Sequence, residues 1–288
     1  MTGPLGILGP GALGCSAAQA AAERGLAVRL LGRDPGHAAR GADRVRERWR
    51  RAVAEGRMSA AEAGKAEANL AAAAFDPAGL AGLGTLLEAV PERADLKGQV
   101  LSEAARWAPG TVLLLSGTSS LPISDLAGRS GLEGRLVGFH LFVPVPRMAV
   151  VELAVPAGTD PAWVARAAAL GGALGKRVVR VLDQPGFAAA RMALAQGLEA
   201  MRLLEAGVAT AEDLDALMTL GYGHPAGPLE LSDRVGLDLR LRIAEGLAAA
   251  GEARFEPPAI LRNQVRAGHA GLRTGQGFHR WDSRGRRR

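Results

Sequence analysis

The sequence of 288 residues has a single cysteine, only three lysines and few aromatic residues. Because one cysteine, Cys15, excludes an internal disulfide bond, the composition fits a reducing compartment. Aromatic residues make up 4% of the chain and hydrophobic residues 48%, so the core must be built mainly from Ala, Leu and Val.

Long hydrophobic segments are missing as well. No apolar run is long and uniform enough to span a bilayer, and the N-terminus lacks the charged start of a signal peptide. The net charge is +6, but the basic residues are scattered, no aromatic residues are interleaved with them, and there is no nucleic-acid motif. We therefore predict a cytoplasmic protein that binds neither a membrane nor nucleic acid.

A glycine-rich segment follows the first predicted strand, Leu5–Leu8. It fits the pattern GxGxxG and is followed by a predicted helix, Ser16–Arg24, and a second strand, Ala27–Leu31. This order of elements places a dinucleotide pyrophosphate at a helix N-terminus, whereas a merely structural turn is the weaker interpretation. The cofactor-binding residues predicted here are Gly9, Gly11, Ala12, Leu13 and Gly14.

The end of the second strand bears on the choice between NAD and NADP. An acidic residue at this point binds the ribose 2′-hydroxyl of NAD and repels the 2′-phosphate of NADP. Here Gly32 removes that repulsion and Arg33 supplies a cation, although Asp34 could restore the NAD contact in a shifted turn. Both cofactors stay open, and an Asp at position 32 is expected to favour NAD.

Strand and helix patterns alternate up to Asp183, and only helical patterns follow. We predict an α/β fold with an N-terminal Rossmann-type doubly wound parallel sheet, residues 1–183, and a C-terminal all-helical domain, residues 184–288. A helical hairpin, residues 36–75, is inserted in the first domain. Its basic face could meet a phosphate-bearing substrate tail or simply be solvated, and comprises Arg40, Arg44, Arg48 and Arg51.

The stretch from Val137 to Glu152 carries the strongest catalytic pattern. A short apolar run leads to His140, two prolines forbid helix, and a second apolar run leads to Glu152. This layout can set an imidazole beside a carboxylate on adjacent extended segments. A carboxylate that holds Nδ1–H leaves the other nitrogen free to act as a general base, although a structural histidine is the alternative.

With these residues in hand, the chain resembles the short-chain L-3-hydroxyacyl-CoA dehydrogenase family, which includes bacterial 3-hydroxybutyryl-CoA dehydrogenases. The resemblance extends over nearly the whole chain. Its motifs are GPGALG at 9–14, EAVPERADLK at 88–97, GTSSLPISDL at 117–126, GFHLFVPVPRMAVVE at 138–152, DQPGFAAAR at 183–191 and GLRTGQGFHRW at 271–281.

The resemblance implies oxidation of a 3-hydroxyacyl thioester in fatty acid metabolism, with NAD or NADP, by a homodimer built through the helical domain. By motif position, His140 matches the catalytic base, Glu152 the carboxylate that orients it, and Ser119 the serine that contacts the substrate oxygen. Glu92 and Lys97 match residues near the nicotinamide end of the cofactor, and Ser116 and Gly117 are also predicted to bind the cofactor.

Four departures from the family pattern leave the substrate open. Asparagines of the family are replaced by Gly117, Val143 and Ala190, and its common lysine is missing near Ala149. The alternatives are an acyl-carrier-protein thioester, a free hydroxy acid, a gulonate- or carnitine-like substrate, or a non-catalytic dinucleotide sensor. Dehydrogenases that use a lysine on the interdomain helix are disfavoured, since residues 186–191 contain none.

Overall fold

A computed structural model describes residues 3–108, 110 and 112–288. The chain divides into two compact units, Met1–Phe187 and Ala188–Arg288. No helix in the described part of the chain is long and apolar enough to cross a membrane.

The first unit is an eight-stranded sheet flanked by helices. Its strands are β1 (Leu5–Leu8), β2 (Val28–Gly32), β3 (Leu70–Ala74), β4 (Thr85–Glu88), β5 (Leu113–Ser116), β6 (Val137–Leu141), β7 (Val150–Val155) and β8 (Arg177–Leu182). Its helices are α1 (Ala12–Glu23), α2 (Pro35–Ala54), α3 (Ala60–Ala68), α4 (Pro77–Leu80), α5 (Ala94–Trp107), α6 (Ile123–Ser130) and α7 (Pro161–Ala173).

The strand order is β3-β2-β1-β4-β5-β6-β7-β8, and every neighbouring pair is parallel except β6 and β7. The central strands β1, β4 and β5 are short and buried along their whole length, as strands covered by helices on both faces must be. The prediction of a Rossmann-type α/β fold is therefore confirmed, with one antiparallel pair inside a mostly parallel sheet.

One predicted element is wrong. The helical pattern was expected to continue to residue 75, but residues 70–74 form β3, which pairs with β2 along five residues. The strand reads Leu-Ala-Ala-Ala-Ala, and alanine favours helix locally and lacks the branched side chains typical of strands. Backbone pairing at the edge of the sheet outweighs this local preference, so the helical insert ends with α3.

The second unit is a bundle of helices, as predicted. It contains α8 (Ala189–Glu205), α9 (Ala211–Ala216), a π-helical turn (Leu217–Gly221), α10 (Pro228–Val235), α11 (Leu237–Ala249) and α12 (Ala259–Arg266). Gly236 separates α10 from α11 with a φ of +105°, a conformation that favours glycine. Leu217 and Leu220 of the π-helical turn are 62% and 86% exposed.

Two buried aspartates fasten the C-terminal segment to this bundle. Asp233 accepts hydrogen bonds from the backbone N–H groups of Phe278 and His279 and from the indole of Trp281, at 2.9–3.0 Å. Asp215 Oδ2 lies 2.7 Å from Nε2 of the buried His279. The same Asp215 carboxylate accepts backbone N–H groups at the start of α10.

The His279–Asp215 contact predicts a pH-dependent stability. Burial lowers the pKa of His279, but the hydrogen bond and charge of Asp215 outweigh it, so the pKa lies above 6.5. Protonated His279 then stabilises the folded unit below about pH 6.5, and this stabilisation is lost as the pH rises through the raised pKa. Urea unfolding at pH 6 and pH 9 should show that the free energy of unfolding falls more with rising pH for the wild type than for His279→Gln. Equal losses would contradict this assignment.

Candidate functional site

The glycine-rich loop lies at the carboxyl end of β1, and the protein itself gives a steric reason for two of its three glycines. Gly9 has a φ of +105°, and a Cβ there would lie 2.7 Å from the carbonyl oxygen of Ala89. A Cβ on Gly14 would lie 1.9 Å from the carbonyl oxygen of Gly9, so α1 packs directly on the turn. A Cβ on Gly11 would meet no described atom within 4 Å.

Open space therefore begins at Gly11, just where α1 starts. The first N–H groups of a helix have no partner within the helix, and the helix dipole favours an anion beside them. Ala12 and Leu13 form this first turn, and Ala12 is exposed. The residues of the loop thus fit a dinucleotide pyrophosphate by shape and by electrostatics.

The end of β2 leaves no room for an acidic side chain. A Cβ on Gly32 would lie 2.6 Å from the backbone nitrogen of Ala38 in α2, so an Asp at this position would require the backbone of α2 to shift. Asp34 does not replace it, because its carboxylate caps α2 by accepting the N–H of His37 at 2.6 Å. The Arg33 side chain is 78% exposed, with its Nε 3.4 Å from the Asp34 carboxylate.

His140 and Glu152 are direct partners across the antiparallel pair of β6 and β7. Nδ1 of His140 lies 2.7 Å from Oε2 of Glu152, and both residues are buried. His140 is 8% exposed, and the ring of Phe142 packs against it with centroids 4.5 Å apart. Its Nε2 makes no hydrogen bond with any residue that the structure describes. A neutral imidazole with Nδ1–H on the carboxylate therefore has a lone pair on Nε2 to accept a proton.

A buried ionic network lies under the neighbouring strand ends. Glu88 closes β4, and both of its oxygens accept hydrogen bonds from Nζ of Lys97, at 2.8 and 3.1 Å. Nζ of Lys97 also lies 3.2 Å from the carboxylate of Glu92. Burial raises the pKa of Glu88 against the effect of Lys97. Burial also acts to raise the pKa of Glu92, but the charge of Lys97 and hydrogen bonds from the next loop lower it overall.

The segment after β5 wraps around the Glu92 carboxylate. Oε1 of Glu92 accepts the Thr118 hydroxyl at 2.6 Å and the backbone N–H groups of Ser119 and Ser120 at 3.0 and 3.2 Å. The hydroxyl of Ser119 lies 3.4 Å from the same oxygen. This places an ionised carboxylate directly behind the serine predicted to contact the substrate oxygen.

The side chains of two predicted cofactor-binding residues are buried within the first unit. Lys97 is 1% exposed, and Ser116 is fully buried with its hydroxyl donating to Glu88. Motif position predicted that both residues lie near the cofactor. It could not show that both side chains bind the buried carboxylate of Glu88, a residue that we did not predict as part of the site. In the sequence Glu88 was visible as the first residue of the motif at 88–97 and as an acidic residue after an apolar run.

The space beside Gly117, where the family has an asparagine, is occupied by neighbouring atoms. A Cβ on Gly117 would lie 2.9 Å from Cδ2 of Leu13 and 2.9 Å from the carbonyl oxygen of Glu88. Leu13 thus fills the space in which an asparagine side chain would begin. Val143, at another of the lost positions, is 54% exposed on the loop between β6 and β7.

Taken together, the strand ends of the first unit present a dinucleotide-binding loop and a histidine–carboxylate pair on one Rossmann-type sheet. Ligands of such sheets bind outside the carboxyl ends of the strands. The fold and the loop define a protein of the dinucleotide-binding class.

Comparison with known proteins makes the class specific. Residues 4–184 match the family "3-hydroxyacyl-CoA dehydrogenase, NAD binding domain", and residues 186–281 match "3-hydroxyacyl-CoA dehydrogenase, C-terminal domain". The chain therefore belongs to the 3-hydroxyacyl-CoA dehydrogenase family, which confirms the resemblance found in the sequence.

Relatives of full length support this membership. A probable 3-hydroxybutyryl-CoA dehydrogenase of Bacillus subtilis is 33% identical, over 96% of this chain and 97% of that protein. A 3-hydroxybutyryl-CoA dehydrogenase of Mycobacterium tuberculosis is 35% identical over the same shares. The crystal structure of (S)-3-hydroxybutyryl-CoA dehydrogenase PaaH1 from Ralstonia eutropha superposes with a TM-score of 0.92 at 31% identity, and covers 98% of this chain and 100% of that one.

Proposed function

We propose that this protein transfers a hydride between a nicotinamide cofactor and the 3-hydroxy or 3-oxo group of an acyl thioester. The observation that carries the proposal is the buried His140–Glu152 contact of 2.7 Å, at the end of the sheet that also bears the glycine-rich loop. The names of the relatives, which are 3-hydroxybutyryl-CoA dehydrogenases, support the thioester class.

In the proposed reaction His140 is the general base and Glu152 its positioning partner. A bound nicotinamide ring supplies the hydride acceptor for oxidation. Nε2 of His140 takes the hydroxyl proton as the hydride leaves C3, and the C3–O bond becomes a carbonyl. Glu152 stabilises the imidazolium that forms, and Ser119 holds the substrate oxygen. In the reverse direction the imidazolium of His140 returns the proton to the developing alkoxide.

We propose NADP as the preferred cofactor. Three features support it: the Gly32 position has no space for a carboxylate, Asp34 is engaged as the cap of α2, and Arg33 is exposed beside it. The N–H of His37, followed by Arg33 and Arg40, lowers the pKa of the Asp34 carboxyl. The charge of Asp34 is thus partly neutralised by cations that would also attract a 2′-phosphate.

We propose that a pocket on the helical insert binds the phosphate-bearing tail of the thioester. The pocket has a volume of about 820 Å³ between α1, α2, α3 and the loop that follows His140. Glu23 and Glu62 line it, but five cations outnumber them: Arg48, Arg51, Arg57, Lys65 and Arg147. Arg44, expected on the same face, instead donates to the carbonyl of Pro10.

A matched pair of thioesters tests this pocket. Charge-assisted contacts to a phosphate contribute about 1.5–3 kcal/mol when well formed, so Arg48→Ala/Arg51→Ala should raise KM for acetoacetyl-CoA by about 10-fold or more. KM for acetoacetyl-pantetheine, which lacks the nucleotide, should stay within about twofold. Arg50→Ala is the control, since Arg50 is exposed on α2 and paired with Glu47. Equal changes for both thioesters would exclude the pocket.

A turnover panel tests the function itself. Acetoacetyl-CoA, a longer 3-oxoacyl-CoA, acetoacetyl-pantetheine and free 3-oxo acids should be assayed with NADPH and with NADH. We expect turnover of the thioesters and little turnover of the free acids. Turnover only of a free acid would favour the gulonate- or carnitine-like alternative, and tight cofactor binding without any turnover would favour a sensor.

A homodimer and a cytoplasmic location complete the proposal. The exposed Leu217 and Leu220, with Tyr222 at 78% exposure, support a homodimer formed through the second unit. Light scattering at micromolar concentration would contradict this by showing a monomer. A cytoplasmic location and a role in fatty acid metabolism are proposed from the single cysteine and from the family.

A further inference from the structure

The loop between β6 and β7 joins the two members of the catalytic pair. It begins after Leu141 and ends before Val150, and it contains Pro144 and Pro146. Proline has no N–H to donate, so this loop lacks two of the donors with which a turn of this length would satisfy its own carbonyl groups. Within the loop the N–H of Arg147 donates to the carbonyl of Pro144 at 3.0 Å, and other carbonyl groups of the loop find donors elsewhere in the fold.

Two buried polar side chains bind the loop, one as a donor to its carbonyl groups and the other as the acceptor of an N–H group. Nζ of Lys176 donates to the carbonyl oxygens of Val145 and Met148, at 2.6 and 2.5 Å. The hydroxyl of Ser16, in the first turns of α1, accepts the N–H of Val145 at 2.9 Å. Ser16, Val145 and Lys176 are all at most 9% exposed, so water does not compete strongly for these bonds.

Lys176 also stands at the point where the chain enters β8. The next residue, Arg177, donates its N–H to the carbonyl of Ala149 at 2.7 Å and pairs with Val150, the first residue of β7. Two residues further along β7, Glu152 lies opposite His140. The ammonium group of Lys176 therefore holds the last part of the loop, directly before the residues at which the register of β7 is set.

Register decides whether the pair exists at all. Successive side chains of a strand point to opposite faces, so a slip of one residue would turn Glu152 away from His140. A slip of two would set an apolar residue of β7 opposite the imidazole. Turn geometry is what normally fixes register, and this turn is held by Lys176 and Ser16.

We propose that Lys176 is a positioning residue for hydride transfer, which holds the β6–β7 loop so that Glu152 meets His140. Ser16 is the second anchor, and it ties the same loop to the helix that begins at the cofactor loop. The proposal rests on the proposed function of the His140–Glu152 pair. It assigns no contact with substrate or cofactor to Lys176.

The principal test is Lys176→Met, which keeps the length and the packing of the side chain but removes its donors. We expect kcat for acetoacetyl-CoA to fall by about 10-fold or more, with the Kd of the cofactor within about twofold of the wild type. The downfield proton resonance of the His140 Nδ1–H, assigned by its absence in His140→Gln, should weaken or shift. Lys176→Arg, which keeps a cation and its donors, should restore part of the loss.

Two further variants separate positioning from loss of stability. Leu80→Val removes a buried methylene group in α4, away from the loop, and shows how a destabilised protein behaves at unchanged loop geometry. Should Lys176→Met fail to fold, Ser16→Ala makes the same test, with an expected fall in kcat of about 3–10-fold. Wild-type kcat and an unshifted resonance in the folded variant, or the same profile as Leu80→Val, would overturn the proposal.

Failure of this inference can be told from failure of the proposed function. If the wild type turns over a 3-oxoacyl thioester and His140→Gln does not, while Lys176→Met is normal, only the role of Lys176 falls. If the wild type turns over no thioester, the proposed function falls. The resonance of His140 then still reports whether Lys176 holds the pair together.

Discussion

Replacing His140 with Gln should lower kcat by about 10²–10⁴-fold, the usual contribution of a general acid or base. Glutamine has a similar size and can hydrogen-bond but cannot take up the substrate proton, so substrate and cofactor affinities should change little. The expected loss follows from the position of Nε2, since Nδ1 is held at 2.7 Å by Glu152. Initial rates of acetoacetyl-CoA reduction with each cofactor measure it.

Glu152→Gln provides the control for the pair. It should keep the fold and the cofactor Kd but lower kcat, because a neutral amide stabilises the imidazolium less than a carboxylate does. The double variant should lose much less than the sum of the two free-energy changes, since the residues act as one unit. Full additivity would mean that Glu152 does not work through His140.

Replacing Arg33 with Ala should lower kcat/KM for NADPH by about 10- to 100-fold, as expected for loss of a charge-assisted phosphate contact of about 1.5–3 kcal/mol. The value for NADH should stay within about threefold, because NADH has no 2′-phosphate. Arg33→Lys should keep part of the preference. The exposed Arg33 makes a cleaner test than Gly32, where any side chain would press against α2.

Arg46→Ala is the matched control for Arg33. Arg46 lies on α2 and pairs with Asp43 and Glu67, so its removal should leave both cofactors unaffected. Equal losses for NADPH and NADH in Arg33→Ala would show that the guanidinium does not read the 2′-position. A wild type that prefers NADH would contradict the choice of NADP itself.

The sequence predicted the fold well where local pattern and tertiary structure agree. The glycine turn after β1 and the helix that follows it carry signals that are complete within about 30 residues. The β3 segment carried the opposite signal, because four alanines in a row favour helix and only the neighbouring β2 makes them a strand. Pairing with a distant strand is not visible in a local window.

In the candidate site, too, local patterns were predictable from the sequence and contacts between different elements were not. The spacing around Pro144 and Pro146 was enough to suggest that His140 and Glu152 face one another. Nothing local could show that Glu88 draws the side chain of Lys97 inward, or that Lys176 reaches the loop of residues 142–149. Glu88 and Lys97 are nine residues apart but lie on different elements, β4 and α5, and Lys176 is 31 residues from Val145. No helical or strand period links either pair.

The most direct test of the central claim follows the hydride itself. Acetoacetyl-CoA is reduced with NADPH that carries deuterium at the transferable C4 position, and the 3-hydroxyacyl product is examined by mass spectrometry and NMR. We predict one deuterium at C3 of the product, formed at least about 100-fold more slowly by His140→Gln. A cofactor that is not oxidised, or a product without deuterium at C3, would contradict the account.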